Sequence, residues 1–389
     1  MKVRKVYLDH SATTPVAKEV LDAMLPYFSE KMGNPNSLHS WGRDAKRAMD
    51  EARGSVASLI GAEPSEIVFT GCGSAADNLA VKGSVWAAKN GGRHIITSAV
   101  EHHAVIDTFK WLGKNGFETT ILPVDGDCMV SPDALRNAIR DDTALVSIMF
   151  ANNEVGTINP IAELGAICRE RGVLFHTDAV QAAGHIPIDV SRLPVDMLTM
   201  SAHKMYGPKG IGALYIRKGI KLVPLVHGGG QEYGVRSGTE NVPSIVGFGA
   251  SAELAVKLDR EGEESRISRI RDKLLDGIVE RVPDSFVTGH RTCRLPYHGS
   301  VCVRRIEGEG MLLRLDYAGI GASSGSACTS GSLDPSHVLL AMGLDHATAH
   351  GSLRLTLGKD TTEEDVDYVL ETFPPIVETL RSMSPYKGK

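Results

Sequence analysis

The chain has 389 residues, of which 42% are hydrophobic; this is enough to bury a sizeable core and predicts two domains. Its formal net charge of -5 at pH 7 argues against a nucleic acid or an anionic membrane as the main partner. No stretch reaches the roughly 18 to 20 apolar residues of a membrane span, and residues 1–15 lack the apolar core of a signal peptide. We therefore expect a globular cytoplasmic protein.

Short apolar runs alternate along the chain with longer segments of helical period. Several of these runs are rich in β-branched residues, which indicates strands that are buried on both faces of a sheet. The alternation predicts an α/β fold in which helices cover the sheet. In chain order, the predicted strands are 66–70, 94–98, 144–150, 173–178, 196–201 and 211–216.

The composition of the chain changes near residue 260. Residues 257–282 have the periodicity of one long amphipathic helix that carries many charges. Further strands and helices follow it, so we predict a second, smaller unit. The predicted large domain is 16–260, and the predicted small domain combines 1–15 with 261–389.

The six cysteines include no C-x-x-C pair, and their scatter suits reduced thiols better than a disulfide framework. Free cysteine is among the most buried residue types. We therefore expect most of them to behave as small buried hydrophobic residues. These are Cys72, Cys128, Cys168, Cys293 and Cys302.

Residues that could carry chemistry cluster where predicted strands end, which is where open α/β sheets bind ligands. After the first strand, the segment TGCGSAADN (70–78) places glycines and then Ser74 at the start of a predicted helix. Backbone N–H groups and the helix dipole would then face one point, which suits a phosphate group. A glycine-rich turn with a serine N-cap would account for the same residues.

Two further strand ends carry a carboxylate and imidazoles. Asp178 and Gln181 follow an apolar run, where a carboxylate is costly unless it is paired. His102 and His103 follow the strand 94–98. A single histidine in such a place is more often a surface residue or a hydrogen-bonded core residue than a functional one.

The fourth strand end holds a lysine. Ser201, His203 and Lys204 come together after the strand 196–201, and lysine is seldom buried without a reason. A lysine, a carboxylate, imidazoles and an anion-binding turn around one crevice fit pyridoxal phosphate. The lysine amine would bond covalently to this cofactor. Asp178 would keep the pyridine nitrogen protonated, so that the ring can accept electrons.

A series of short motifs extends this pattern along nearly the whole chain. The motifs are VYLDHSATTP (6–15), GNPNSLHSWG (33–42), ANNEVGT (151–157), HTDAVQ (176–181), SAHKMYGPKG (201–210), RSGTEN (236–241), SSGSACTSGS (323–332) and SLRLTLG (352–358). On these motifs the chain resembles the group I cysteine desulfurases of the NifS/IscS type, which are fold-type I pyridoxal-phosphate enzymes of the class V aminotransferase group. The resemblance implies a mostly parallel seven-stranded sheet flanked by helices, with a smaller α+β domain.

The resemblance also implies how the cofactor is held. Lys204 would bond to it, Asp178 would pair with the pyridinium, and His102 would stack on the ring and help to move protons. Gln181 and Asn153 would contact the side of the phenolic oxygen. The family is dimeric, and Thr239 would reach the phosphate from a second subunit. The other phosphate-binding residues would be Gly73, Ser74, Ser201 and His203.

The substrate implied by the resemblance is L-cysteine, whose carboxylate Arg354 and Asn34 would bind. Cys328 lies among small residues with little to bury, which predicts an exposed mobile loop at about 322–334. In the family, this thiolate takes the substrate sulfur as a persulfide and leaves L-alanine. The sulfur would then pass to an acceptor protein, for iron–sulfur cluster assembly or tRNA thiolation.

The chain departs from the family pattern at two places. Relatives usually have Thr-Glu where this chain has Ser74 and Ala75, which keeps a hydroxyl for the phosphate but removes a carboxylate. Tyr233 stands where an arginine is common, in a segment expected to face the second subunit. The lysine and the loop cysteine are both present.

Three alternatives remain open. A selenocysteine lyase or another class V lyase would use the same cofactor residues. A non-catalytic sulfur or iron–sulfur scaffold would use Cys328 only to dock a cluster or partner. A metal-dependent hydrolase lacks any H-E-x-x-H spacing here, and we predict no metal site. Its imagined ligands would be His102, His103, His176, Asp178 and His203.

Overall fold

A computed structural model describes residues 4–88, 91–325 and 335–383 of the chain. Cys328 and most of the predicted loop 322–334 lie outside these residues. The strands are β1 Val6–Tyr7, β2 Ile67–Thr70, β3 His94–Ser98, β4 Glu118–Leu122, β5 Thr143–Ser147, β6 Leu174–Asp178, β7 Met197–Ser201, β8 Gly212–Ile216, β9 Ser285–Val287, β10 His298–Val303, β11 Ile320–Gly321 and β12 Ser352–Thr356.

The helices lie between these strands, as the alternating pattern predicts. They are α1 Lys18–Met24, α2 Ser40–Leu59, α3 Gly73–Ala87, α4 His103–Lys114, α5 Pro132–Ala138, α6 Ile161–Glu170, α7 Val242–Arg260, α8 Glu263–Arg281, α9 Gly308–Tyr317, α10 His337–Ala341, α11 His346–His350 and α12 Glu363–Met383. Among the helices of the described residues, none combines the length and the apolar character that crossing a membrane requires.

A sheet that has seven strands within the described residues forms the centre of the chain, in the order β2-β8-β7-β6-β5-β3-β4. Strands β3 to β7 are parallel, whereas β8 is antiparallel to both of its neighbours, β2 and β7. β2 therefore points in the same direction as β7. This arrangement confirms the predicted α/β fold with a mostly parallel seven-stranded sheet.

Helices cover both faces of this sheet. Neighbouring strand residues point to opposite faces, and in β3 they belong to different apolar clusters. Ile95 shares a cluster with Phe109 of α4, whereas Ile96 shares one with Phe248 of α7. Because both faces are buried, the strands are nearly continuous apolar runs, which is why the sequence shows them so clearly.

The edge strand β4 is the one strand of the central sheet that the apolar runs do not predict. Of its five residues only Leu122 is buried. Glu118 at its start is exposed and forms an ion pair with Arg140 at 2.5 Å. An edge strand needs few buried side chains, so its sequence carries a weaker signal.

The prediction of one helix over 257–282 was wrong, because two helices occupy this segment. α7 ends at Arg260, α8 begins at Glu263, and Gly262 between them has a φ of +78°. A glycine in this left-handed conformation commonly ends a helix, since it adopts positive φ without strain from a Cβ atom. Residues 259–266 contain no apolar residue, so the apolar period does not show where one helix ends and the next begins.

Two smaller sheets lie after α8. β9, β10 and β12 form an antiparallel sheet in the order β12-β10-β9. The N-terminal strand β1 pairs in parallel with β11, so the first residues of the chain join its last third. The position of the domain boundary stays a prediction.

Three of the five cysteines expected to be buried are buried, namely Cys128, Cys168 and Cys302. The expectation was wrong for Cys72 and Cys293, which are exposed. Cys72 is the N-cap of α3, where its Sγ accepts a hydrogen bond from the backbone N–H of Ala75 at 3.4 Å. A helix end lies at the surface, so a capping residue there is not buried. The N-cap of α3 is therefore this cysteine rather than a serine.

Candidate active site

A cleft of about 420 Å³ lies at the carboxyl ends of β6 and β7. These strands end at Asp178 and Ser201, and because β2 points the same way as β7, the start of α3 reaches the same edge of the sheet. Ten of the predicted site residues line this cleft. They are Gly73, Ser74, His102, Asn153, Asp178, Gln181, Ser201, His203, Lys204 and Arg354.

Lys204 ends a short 3₁₀ turn, Ala202–Lys204, that directly follows β7. Its Nζ donates hydrogen bonds to the backbone oxygens of Ser11 at 2.5 Å and Ala12 at 2.7 Å. Its own backbone oxygen contacts Nε2 of His185 at 2.8 Å, and since a carbonyl only accepts, that nitrogen donates. Carbonyl oxygens thus hold the side-chain amine at the cleft, and the hydrogen bond from His185 holds the backbone of Lys204.

Asp178 provides a carboxyl group in the cleft beside Lys204 and His102. The residue is buried, and its Oδ1 accepts a hydrogen bond from the backbone N–H of Val180 at 2.9 Å. Burial raises the pKa of Asp178, while the nearby His102 and Lys204 oppose that shift. A buried carboxylate is suited to hold a positively charged group, such as a protonated pyridine nitrogen.

His102 is the N-cap of α4. Its Nδ1 accepts a hydrogen bond from the backbone N–H of Ala104 at 3.1 Å, so in the neutral ring the proton lies on Nε2. Burial lowers the pKa of His102, which favours the neutral imidazole. The cleft is therefore lined here by an aromatic ring whose neutral form is favoured and carries its proton on Nε2.

The N-terminus of α3 lies next to a buried hydroxyl group. Gly73 and Ser74 are the first residues of α3, where backbone N–H groups have no acceptor within the helix. Ser201 is 2% exposed, and its Oγ has no hydrogen-bond partner among the described residues. An unpaired buried hydroxyl beside helix N–H groups fits a phosphate. His203 lies at the same end, and burial lowers its pKa to about 4.

Asn153 and Gln181 lie on the other side of the lysine. The backbone oxygen of Asn153 accepts hydrogen bonds from Ser11 Oγ at 2.9 Å and from Arg354 Nη1 at 3.1 Å. Gln181 accepts through Oε1 from Ser11 Oγ at 3.2 Å and from the Tyr297 hydroxyl at 2.5 Å. Both residues are thereby fixed to neighbouring segments of the chain.

Arg354 brings a buried positive charge from β12 to the cleft. The residue is 3% exposed, and its Nη2 donates to Asp9 Oδ1 at 3.0 Å. Its Nε has no partner among the described residues. The backbone N–H of Arg354 donates to the oxygen of Ser323 at 2.7 Å, which fixes the strand position. A planar guanidinium with an unpaired N–H group suits a carboxylate ligand.

Comparison with known proteins identifies the family of the chain. The family model described as aminotransferase class-V matches residues 6–369 of the chain. The chain belongs to the aminotransferase class-V family. Its relatives include a cysteine desulfurase IscS of Methanosarcina thermophila, 55% identical over 99% of this chain and 95% of the relative. A cysteine desulfurase IscS of Dictyoglomus turgidum is 52% identical over 99% and 97%.

Solved structures also resemble the chain over nearly its full length. A structure described as a NifS-like protein superposes with a TM-score of 0.91 and 41% identity, covering 97% of this chain and 100% of that one. A structure of SspA in complex with cysteine has a TM-score of 0.79 and 37% identity, covering 92% and 100%. Both resemblances extend over nearly the full length, so the chain shares its overall fold with these proteins.

Membership of the class-V family implies pyridoxal phosphate in general, and the residues of the cleft fit that group. The cofactor needs an amine, an anion for its ring nitrogen and an anion-binding end for its phosphate. Lys204, Asp178 and the cradle around Ser201 supply these three in one cleft. The unpaired Ser201 hydroxyl is the feature of the structure that most directly indicates a ligand there.

Three predicted site residues are not brought into this cleft. Asn34 and Thr239 are exposed and do not line it, and Cys328 lies outside the described residues. Asn34 and Thr239 nevertheless lie near one another, because Nδ2 of Asn36 donates to the carboxylate of Glu240 at 3.1 Å. Both therefore belong to one exposed surface of the chain.

Several residues of the cleft were not identified from the sequence. Most of them lie within the motifs that carry the resemblance, so position within a motif was the one signal that could have found them. Their side chains gave no other sign, since small and apolar residues dominate the set. The additional lining residues are Asp9, Ser11, Ala12, Cys72, Asp77, Met149, Ala151, Val180 and Ser323.

Of the five residues considered as ligands of a metal-dependent hydrolase, His102, Asp178 and His203 line the cleft, but they do not form a metal-binding group. Within the ranges 4–88, 91–325 and 335–383, His, Cys, Asp and Glu side chains form no group of three that could hold a metal ion. His176 instead lies inside the sheet, where its ring nitrogens contact Ser147 Oγ at 2.8 Å and Thr199 Oγ1 at 3.0 Å. Both ring nitrogens of His176 are therefore hydrogen-bonded to hydroxyl groups of the neighbouring strands.

Proposed function

We propose that the chain is a cysteine desulfurase, which uses pyridoxal phosphate to convert L-cysteine into L-alanine and a protein-bound persulfide. The observation that carries this proposal is one cleft that joins Lys204, Asp178 and an anion-binding helix end with the buried Arg354. The names of the relatives support the same reaction, since those at 52% and 55% identity are called cysteine desulfurases.

Different residues of the cleft would bind different parts of the cofactor. Lys204 would bond to it through Nζ, and Asp178 would pair with its ring nitrogen. Gln181 and Asn153 would contact the side of its phenolic oxygen. When bound, the cofactor would supply an electron sink that makes the Cα–H bond of the substrate acidic. Gly73, Ser74, Ser201 and His203 would hold its phosphate.

The substrate carboxylate binds to Arg354, whose guanidinium is buried and already oriented by Asp9. The amine of Lys204 would then move the proton from the substrate Cα. His102 would stack over the cofactor ring and help to move protons. Burial lowers the pKa of His102, which favours the neutral ring beside Lys204.

Cys328 takes the sulfur in this proposal, although it lies outside the described residues. Its thiolate attacks the sulfur of L-cysteine, so that an S–S bond forms and the Cβ–S bond breaks. The electron pair of the broken bond stays on Cβ, which gains a proton and becomes the methyl group of L-alanine. The persulfide then passes its outer sulfur to an acceptor, such as an iron–sulfur scaffold protein or a tRNA-thiolation enzyme.

We place the enzyme in the cytoplasm as a homodimer. Large apolar side chains lie exposed on the segment 25–41, including Phe28 at 62%, Leu38 at 91% and Trp41 at 56%, and such a surface favours self-association. Thr239 lies near this segment and would reach the phosphate of the partner subunit. Asn34 belongs to the same surface, so we assign its contact with substrate to the partner's cleft as well.

The reaction is tested by incubating the chain, reconstituted with pyridoxal phosphate, with L-cysteine. When a thiol reductant is present, we expect L-alanine and sulfide to form in steady turnover. The reductant is needed because the persulfide on Cys328 must be reduced to release the sulfur before the next cycle. A Cys328→Ser variant should keep the bound cofactor and lose sulfur release. If the wild-type chain forms no L-alanine, the proposal is wrong and a non-catalytic sulfur scaffold becomes the better interpretation.

A further inference from the structure

Tyr297 lies directly behind the cleft and is not among the residues that line it. The residue is 4% exposed and precedes β10. Its hydroxyl group lies 2.5 Å from Oε1 of Gln181 and 3.1 Å from the backbone oxygen of the same residue. Both of these oxygens are acceptors, so the tyrosine hydroxyl must be the donor.

The other contacts of Gln181 fix which way its amide points. Its Nε2 donates to the backbone oxygen of Ser11 at 3.0 Å. A carbonyl oxygen cannot donate, so the amide nitrogen must face it. Oε1 then accepts from Tyr297, while the single hydrogen of Ser11 Oγ is shared between Oε1 at 3.2 Å and the nearer backbone oxygen of Asn153 at 2.9 Å. Since the amide nitrogen has two hydrogens and the backbone oxygen of Ser11 accepts one, Gln181 can offer its second N–H group to the cleft.

We propose that Tyr297 is a positioning residue that reserves Oε1 of Gln181, so that the amide presents an N–H group to an acceptor oxygen of the cofactor. This inference rests on the proposed function, because it needs a pyridoxal ring with its phenolic oxygen on the Gln181 side. Without the tyrosine hydroxyl, Oε1 keeps only the longer contact with Ser11, and the amide is freer to rotate.

The ring of Tyr297 is itself fixed. It packs against the imidazole of His185, with ring centroids 4.3 Å apart, and that imidazole also contacts the backbone oxygen of Lys204. Burial raises the pKa of the Tyr297 hydroxyl, so the group remains a donor at physiological pH. One aromatic pair behind the cleft thus supports both Gln181 and the segment that carries Lys204.

The test is the affinity of the Tyr297→Phe variant for pyridoxal phosphate, measured by absorbance titration of the cofactor-free chain. One hydrogen bond is worth on the order of 1 kcal/mol, so we expect affinity to fall about 3- to 10-fold. The pH at which the absorption band of the bound cofactor changes should also rise, because the phenolic oxygen loses a donor. Tyr368→Phe is the matched control, since its hydroxyl donates to the backbone oxygen of Ala318 and neither residue lines the cleft.

A double variant separates positioning from general loosening of the structure. If Tyr297 acts through Gln181, then Tyr297→Phe should cause no further loss of affinity in a Gln181→Ala background. Wild-type affinity in Tyr297→Phe, or an equal loss in both backgrounds, would overturn the role of the tyrosine while leaving the desulfurase proposal intact. Failure of the wild-type chain to bind the cofactor would overturn both.

Discussion

Gly73 lies at a point of the cleft where there is little room for a side chain. A Cβ atom there would lie 3.0 Å from Cγ2 of Val180 and 3.4 Å from Cβ of Ser201. The first distance is tight but can be relieved by a small movement of the valine, so the chain itself should tolerate alanine. The added methyl group would instead occupy the space beside the unpaired Ser201 hydroxyl, where we place the phosphate.

We predict that Gly73→Ala binds pyridoxal phosphate at least about tenfold more weakly, a loss of about 1.4 kcal/mol. Its melting temperature without cofactor should change little, because alanine favours a helix more than glycine does. Gly71→Ala is the control, since a Cβ there meets no atom within 4 Å. Equal cofactor affinity in the two variants would show that the phosphate lies elsewhere.

From their own chemistry, residues of the cleft could be predicted where a strand end makes them conspicuous, whereas Asn153 and Arg354 were predicted only from the family motifs. Asp178 and Lys204 each follow an apolar run, and a charged side chain in that place is costly unless it binds something. Ser11 was not predicted, although it contacts Lys204, because the two residues are far apart in the chain and a serine carries no signal of its own. Tyr297 was missed for the same reason.

At the scale of elements, burial on both faces made the strands easy to predict. β3 and β7 are fully buried and form apolar runs, whereas β4 is half exposed at the edge and does not. The break at Gly262 was missed because residues 259–266 are all polar or glycine, and such a charged stretch is also typical of the exposed face of one long helix. Element type followed from burial, and element ends depended on single residues.

The position of the cleft follows from the direction of the strands rather than from any single motif. Parallel β6 and β7 end at one edge, and the antiparallel β8 between β2 and β7 turns β2 back to the same direction. α3 therefore starts beside the ends of β6 and β7. The sequence predicted four functional strand ends, but only the strand order shows why they meet.

At the scale of the whole molecule, buried ionisable groups tie stability to pH. His176 is inside the sheet, and burial lowers its pKa to about 3. Its Nε2 lies 3.7 Å from Asp77, and burial raises the pKa of that carboxyl, so burial favours the neutral form of both groups. Because the folded pKa lies below the unfolded value near 6.5, the stability from neutral His176 is complete above that pH and is lost as the pH falls.

We predict that the destabilisation caused by His176→Gln shrinks by about 2 kcal/mol between pH 8 and pH 5, because at pH 5 the unfolded wild type gains a proton that the buried imidazole excludes. Urea unfolding of both proteins at the two pH values measures this difference. The control is His346→Gln, which changes an exposed histidine and should show no such pH dependence. A constant difference for His176→Gln would mean that its imidazole is not held neutral.

The central claim is that Lys204 is the residue to which the cofactor bonds, and borohydride reduction tests it most directly. The reconstituted chain is treated with sodium borohydride, digested and analysed by mass spectrometry to locate the reduced pyridoxyl group. We predict the group on Lys204 alone, its loss in Lys204→Ala, and its retention in Lys209→Ala, which changes an exposed lysine nearby. A pyridoxyl group on another lysine of the wild-type chain, or on none, would contradict the account.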